Sequence, residues 1–175
     1  MTSDRNVRRY RPDDAARVRT LHVEALRDVG AFFADAEFDA ELDDDLTDVA
    51  ASYLDADGEF LVGTVDGRVV AMGAFRPPGD RVRAVFDGLP DGTAELKRMR
   101  VDPAHQRRGH GQAVLDELER RAADRGYETL VLDVTERQDA ARRFYETNGF
   151  VERERVEVTA FEEPFVQCFY EKSLE

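Results

Sequence analysis

Lysine is nearly absent from this chain. Lys97 and Lys172 are the only two, so arginine supplies almost all the positive charge among 25 basic residues. Cysteine occurs once, at Cys168, which excludes an internal disulfide framework and a cysteine-only metal site. The three histidines, His22, His105 and His110, stand at no metal-ligand spacing, so no metal is expected. No apolar run approaches the roughly 20 residues that a membrane-spanning helix needs. Residues 1–12 are polar and arginine-rich, and no apolar stretch follows them, which argues against a secretory signal. A soluble, reduced, cytoplasmic protein with no membrane partner is the expectation. A basic footprint is missing too. Acids number 38 and the formal net charge is −13, which excludes a general nucleic-acid binder.

What is present suits one domain spanning residues 1–175. Hydrophobic residues make up 42% of it, and a chain of this size buries roughly 70% of its unfolded surface without needing staples. The acid excess resembles that of proteins adapted to strong brine, where carboxylates keep a surface hydrated. A GC-rich genome, which favours Arg, Asp and Ala codons, is the alternative. Either way the charge speaks to solubility rather than to fold.

Along the chain, residues 6–10 suit a short strand, and Pro12-Asp13-Asp14 opens a helix with acids in its first turn. Val18, Leu21, His22, Ala25 and Leu26 then recur at helical spacing. A second helix is expected over residues 37–54, with Leu42, Leu46, Val49 and Tyr53 on one side and the acidic stretch 41–48 as a solvated face. Two strands, 60–65 and 68–75, flank Asp66-Gly67, a pair suited to a type I′ hairpin turn. The segment 81–92 gives no clear signal. Residues 94–101 read as a strand, 109–125 as a helix closed by Gly126, and 129–134 as a buried strand. A short helix over 138–147 and strands over 150–159 and 165–173 complete the chain. This order implies an α/β fold with a mixed sheet and helices on its faces.

The most informative segment runs from Val101 to Gln112. A strand ends at Asp102-Pro103 and a helix opens at two glycines, Gly109 and Gly111. The first N–H groups of a helix lack intrahelical partners and favour anions, and glycine lets a phosphate approach the backbone closely. Arg107 and Arg108 add positive charge. No Gly-Lys-Ser/Thr is present, as a nucleoside-triphosphate loop requires, and the dinucleotide fingerprint fails because residue 114 is Val.

Gln106-Arg107-Arg108-Gly109-His110-Gly111 resembles the Gln/Arg-x-x-Gly-x-Gly/Ala signature of the GNAT family, the GCN5-related N-acetyltransferases. Phe144-Tyr145-Glu146-Thr147-Asn148-Gly149-Phe150 resembles the family's aromatic-Tyr-x-x-x-Gly-Phe. With the strand between them, the two motifs cover residues 94–150. The resemblance implies a GNAT fold, a mixed central β-sheet flanked by helices on both faces, with acetyl-coenzyme A as cosubstrate. Residues Gln106, Arg107, Arg108, Gly109, His110, Gly111 and Gln112 would wrap its pyrophosphate. Met99 and Val101 would offer backbone groups to the pantetheine arm, like an added strand. Many members carry Asn seven residues before the tyrosine, in contact with the cofactor; here that position is Gln138, a longer amide that can still donate and accept. Thr135 and Asp139 are neighbouring polar candidates.

The implied reaction is attack of an amine on a thioester. A lysine-like amine of pKa about 10.4 is mostly protonated at neutral pH, so a base helps, and a thiolate leaving group benefits from an acid. By resemblance Tyr145 is that acid and Glu95 the base. The bland alternatives are a core aromatic for Tyr145 and, for Glu95, a strand-end charge paired with Lys97 or Arg98. Cys168 reads as a buried strand residue, His110 as facing solvent or phosphate, and His22 as helix packing or an acceptor contact. The expected acceptor is a small-molecule or peptide amine, with a homodimer left open. A non-catalytic acyl-coenzyme A-binding sensor is the other reading; it would not need both Tyr145 and Glu95.

Overall fold

The computed structural model describes residues 2–174. Its strands are β1 (Arg5–Arg9), β2 (Glu59–Val65), β3 (Arg68–Arg76), β4 (Thr93–Val101), β5 (Thr129–Thr135), β6 (Val151–Val158) and β7 (Phe165–Ser173). Its α-helices are α1 (Ala15–Asp28), α2 (Asp80–Val85), α3 (His110–Asp124) and α4 (Asp139–Thr147). The strand order is β1-β2-β3-β4-β5-β7-β6. The sheet is mixed: β4 and β5 run parallel, whereas β1–β2, β2–β3, β5–β7 and β6–β7 pair antiparallel. The chain divides into two compact units, residues 1–76 with 96–124 and residues 77–95 with 125–175, so β4 contributes to both.

In the first unit, helices cover both faces of the strands. Phe60 pairs with Ala74 and Val62 with Met72, and this face packs on Val18 and Leu21 of α1 together with Leu46, Val49 and Tyr53. Residues one step along a strand point the other way. Gly63 and Gly73 therefore lie under α3. A Cβ on Gly73 would meet the Met99 sulfur and come within 2.9 Å of Leu118 and 3.0 Å of Val114, so the absent side chain sets how closely helix and sheet approach. The hairpin turn forms as its sequence demands, with φ of 49° at Asp66 and 82° at Gly67.

In the second unit, Val131 of β5 and Phe169 of β7 pack against Val82 and Phe86, on and just beyond α2. Tyr170 of β7 reaches α4, where its hydroxyl donates to Glu146 (2.9 Å) and accepts from Arg142 (3.2 Å). Cys168 is buried; burial, the largest influence on its thiol, raises the pKa, consistent with an ordinary strand residue. Lys172 places its ammonium 5.7 Å from the centre of the Phe150 ring.

One expected element is absent. Residues 37–54 form no continuous helix, only a 3-10 turn at Asp44–Leu46 and a wide π-type turn at Ala50–Leu54. Leu46, Val49 and Tyr53 are buried as their spacing suggests, but Leu42 is 62% exposed. Nor is the acidic stretch a solvated face, because Asp43 and Asp45 are buried.

Candidate functional site

The residues singled out by sequence divide between the two units. In the first, Asp102 fixes the start of the loop. Its carboxylate accepts the Ala104 N–H at 2.9 Å and a guanidinium N–H of Arg17 at 2.7 Å. Arg107 and Gly109 then take positive φ values of 61° and 85° and turn the chain into α3. No atom lies within 4 Å of where a Gly109 Cβ would stand, so that side of the loop is open. Ala113 makes the first intrahelical bond, to the Gly109 carbonyl at 3.0 Å. The N–H groups of His110, Gly111 and Gln112 precede it, the arrangement that favours an anion.

The side chains around this loop differ in their uses. Arg107 and Arg108 are exposed, and the Arg108 carbonyl is held by Arg5 at 2.8 Å. Gln106 donates to Asp28 at 3.2 Å, tying the loop to α1. Gln112 donates to Asp116 at 2.8 Å. His110 does not face solvent: its ring is buried, edge-on to His105. Burial first, then the nearby charges of Arg5, His105 and Arg108, lowers its pKa. Its backbone N–H is one of the three at the helix start.

Upstream on β4, Met99 and Val101 are half-buried. Between Lys97 and Met99 stands Arg98, which the sequence offered only as a candidate ion-pair partner of Glu95. Arg98 has φ +58°, the left-handed region that a side chain disfavours. Its guanidinium donates to Asp45 at 2.5 and 2.9 Å, to Asp43 at 3.0 Å and to the Leu42 carbonyl at 3.4 Å. Tyr53 donates its hydroxyl to Asp45. His22 lies 3.1 Å from Asp43 through Nε2, and its Nδ1 accepts from Arg100 at 3.4 Å. Burial works to raise the Asp45 pKa, but the bonds and charge of Arg98 outweigh it and hold the carboxyl below its usual range. For Arg98, burial is likewise overcome by the two aspartates, and its pKa is raised.

The second unit holds Glu95, Tyr145 and Gln138. Glu95 is 4% exposed, opposite Val131 of β5, and its carboxylate accepts the Gly79 N–H at 2.9 Å. Arg98, one of the two ion-pair partners considered for it, bonds to Asp43 and Asp45. Tyr145 is buried on α4, edge-on to Phe144 at 5.5 Å and to Phe150 at 5.6 Å. Gln138 is half-buried at the N-cap of α4, where its side chain makes no capping bond. Just before it, the Thr135 hydroxyl is buried with no hydrogen-bond partner among the described residues. Asp139 is exposed. Among the described residues there is no cluster of three or more His, Cys, Asp or Glu side chains able to hold a metal, and no helix long and apolar enough to cross a membrane.

Residues 19–150 match the family model described as the Acetyltransferase (GNAT) family. Rat N-acetyltransferase 8F1 is 32% identical over 108 residues, 61% of this chain and 45% of that protein. Zebrafish N-acetylaspartate synthetase is 31% identical over 113 residues, 64% of this chain and 36% of that protein. The chain thus spans less than half the length of these relatives. Among solved structures, a GNAT-family acetyltransferase from Staphylococcus aureus Mu50 superposes with a TM-score of 0.78 at 18% identity, covering 98% of this chain and all of the other. The Salmonella typhimurium putative acetyltransferase yncA, solved with its cofactor acetyl-CoA, gives 0.75 at 22% identity, covering 98% and 94%.

Proposed function

We propose, from the premise that the chain belongs to the Acetyltransferase (GNAT) family, that it is an acetyl-coenzyme A-dependent N-acetyltransferase acting on an amine. The observation that carries the reading is the loop ahead of α3. Two left-handed residues, Arg107 and Gly109, turn it so that three helix-start N–H groups follow an open glycine flank. That is the donor set a pyrophosphate requires, and the exposed guanidinium groups of Arg107 and Arg108 add charge of the right sign. Acetyl-coenzyme A, when bound, supplies an acetyl group activated as a thioester.

The chain's own residues do the rest. The backbone from Arg107 to Gln112 grips the phosphates. Met99 and Val101 present main-chain groups to the arm, as a strand does to an added strand. Gln138 and the buried Thr135 hydroxyl offer further polar contacts. Glu95, a carboxylate already accepting one N–H, takes the proton of the incoming amine, directly or through water. Tyr145 returns a proton to the leaving sulfur from its phenol. Both groups are retained, which an acyl-coenzyme A sensor would not need.

Mass spectrometry with acetyl-coenzyme A and a panel of amines tests the activity; no acetylated product from any amine would refute it. Tyr145→Phe removes only the hydroxyl. Turnover should fall by roughly ten- to ten-thousand-fold while cofactor affinity barely changes. Equal turnover in the two proteins returns Tyr145 to a purely packing role.

A further inference from the structure

Arg98 combines features that stability alone does not explain. It holds a left-handed backbone in the middle of a strand, and such strain persists only when the surroundings impose it. Its surroundings do so. Three guanidinium bonds reach two aspartates more than fifty residues earlier in the chain, and Asp45 is in turn held by the Tyr53 hydroxyl. A buried ion pair is a poor route to net stability, because desolvation offsets its attraction. What the cluster does fix is conformation. A left-handed residue inside a strand is one backbone signature of a bulge, which shifts the phase of the strand beyond it. If residue 98 relaxed to extended geometry, Met99 would turn away from Gly73 and α3, and Arg100 away from His22.

We propose that Arg98, clamped by Asp43 and Asp45, is a positioning residue that sets the main-chain groups of β4 at Lys97–Met99 for the pantetheine arm of coenzyme A. This rests on the cofactor reading above. Arg98 acts through its own backbone: the side chain is anchored on the side of α1 and the 43–45 turn, while the adjoining N–H and C=O groups take the geometry that anchoring imposes. A lysine would keep the charge but lose the planar fork that meets both aspartates at once.

The test compares two ligands by calorimetry: coenzyme A, and adenosine 3′,5′-bisphosphate, which has the nucleotide but no arm. For Arg98→Lys, coenzyme A affinity should fall roughly ten- to a hundredfold, the range for a misplaced contact, while the bisphosphate changes by less than about twofold. The KM for acetyl-coenzyme A should rise in parallel. Tyr53→Phe, which removes only one bond to Asp45, should show the same selectivity to a smaller degree, and it decides the matter if Arg98→Lys does not fold. Equal losses for both ligands, or no loss for coenzyme A, would overturn the clamp's role. Failure of the unaltered chain to bind either ligand would instead overturn the cofactor reading itself.

Discussion

His22 sits among charges of both signs, and its protonation is coupled to the fold. Burial, then the positive charges of Arg100 and Arg98, outweigh Asp43 and lower its pKa from 6.5 to about 4. It is therefore neutral in the folded protein, donating from Nε2 to Asp43 and accepting at Nδ1. Unfolded, it titrates near its ordinary value. Between those two pH values the unfolded chain binds more protons, so stability should be full above pH 6.5 and fall as pH drops toward 4, by on the order of 3 kcal/mol at the low end. The Asp45 contribution has the opposite kind of origin, a lowered carboxyl pKa. It persists through this window and is lost only as pH falls below the ordinary carboxylate range. His22→Gln, neutral at every pH, should flatten much of the decline in melting temperature. His110, also lowered, leaves a remaining slope of the same sign. An unchanged slope in His22→Gln would show that the coupling lies elsewhere.

At the scale of elements, the start of α3 permits a clean separation of binding from folding. Gly111 lies within the helix, so a side chain there needs no left-handed backbone, unlike one at Gly109. Gly111→Val should keep the melting temperature within a few degrees, about 1 kcal/mol for a helix-terminal change, and abolish coenzyme A binding by filling the ligand's space. Unaltered affinity would remove the loop from the cofactor site. This loop was legible in the sequence because its chemistry is local: a capped turn, two glycines and a helix start. The β2–β3 hairpin and the strands on either side of α4 were legible for the same reason. Residues 37–54 were not. Their apolar spacing matches a helix, yet Asp43 and Asp45 turn inward to meet Arg98, a partner that no local pattern reveals. The left-handed φ of Arg98 is hidden likewise, since nothing in Lys97-Arg98-Met99 announces it. The six residues of α2 are too few to produce a periodic signal, and Gly79, whose N–H meets Glu95, lies at its edge.

For the whole molecule, the acid excess sets the response to salt. Exposed pairs such as Arg120 with Glu117 and Asp124, and Arg155 with Glu152, are worth little and weaken as salt rises. The repulsion of a net charge of −13 weakens as well, and it is the larger effect. The screening length falls from about 30 Å at 0.01 M to about 3 Å at 1 M, so the melting temperature should rise with potassium chloride over that range. The buried Arg98–Asp45 pair is insulated from the change. A brine-adapted protein should continue to gain well beyond about 1 M, where screening is exhausted and only ion uptake and salting effects act. A curve that is flat there assigns the composition to codon usage instead.

The scarcity of lysine has a chemical consequence for a protein that would handle an activated acetyl group. A guanidinium stays protonated and is no nucleophile at neutral pH. Nearly all the positive charge on this surface is therefore inert to acylation. Among side-chain amines, acetylation is confined to Lys97, half-buried in β4, and Lys172, drawn over the Phe150 ring. A chain that carried a reactive thioester would present it with only two side-chain amines of its own.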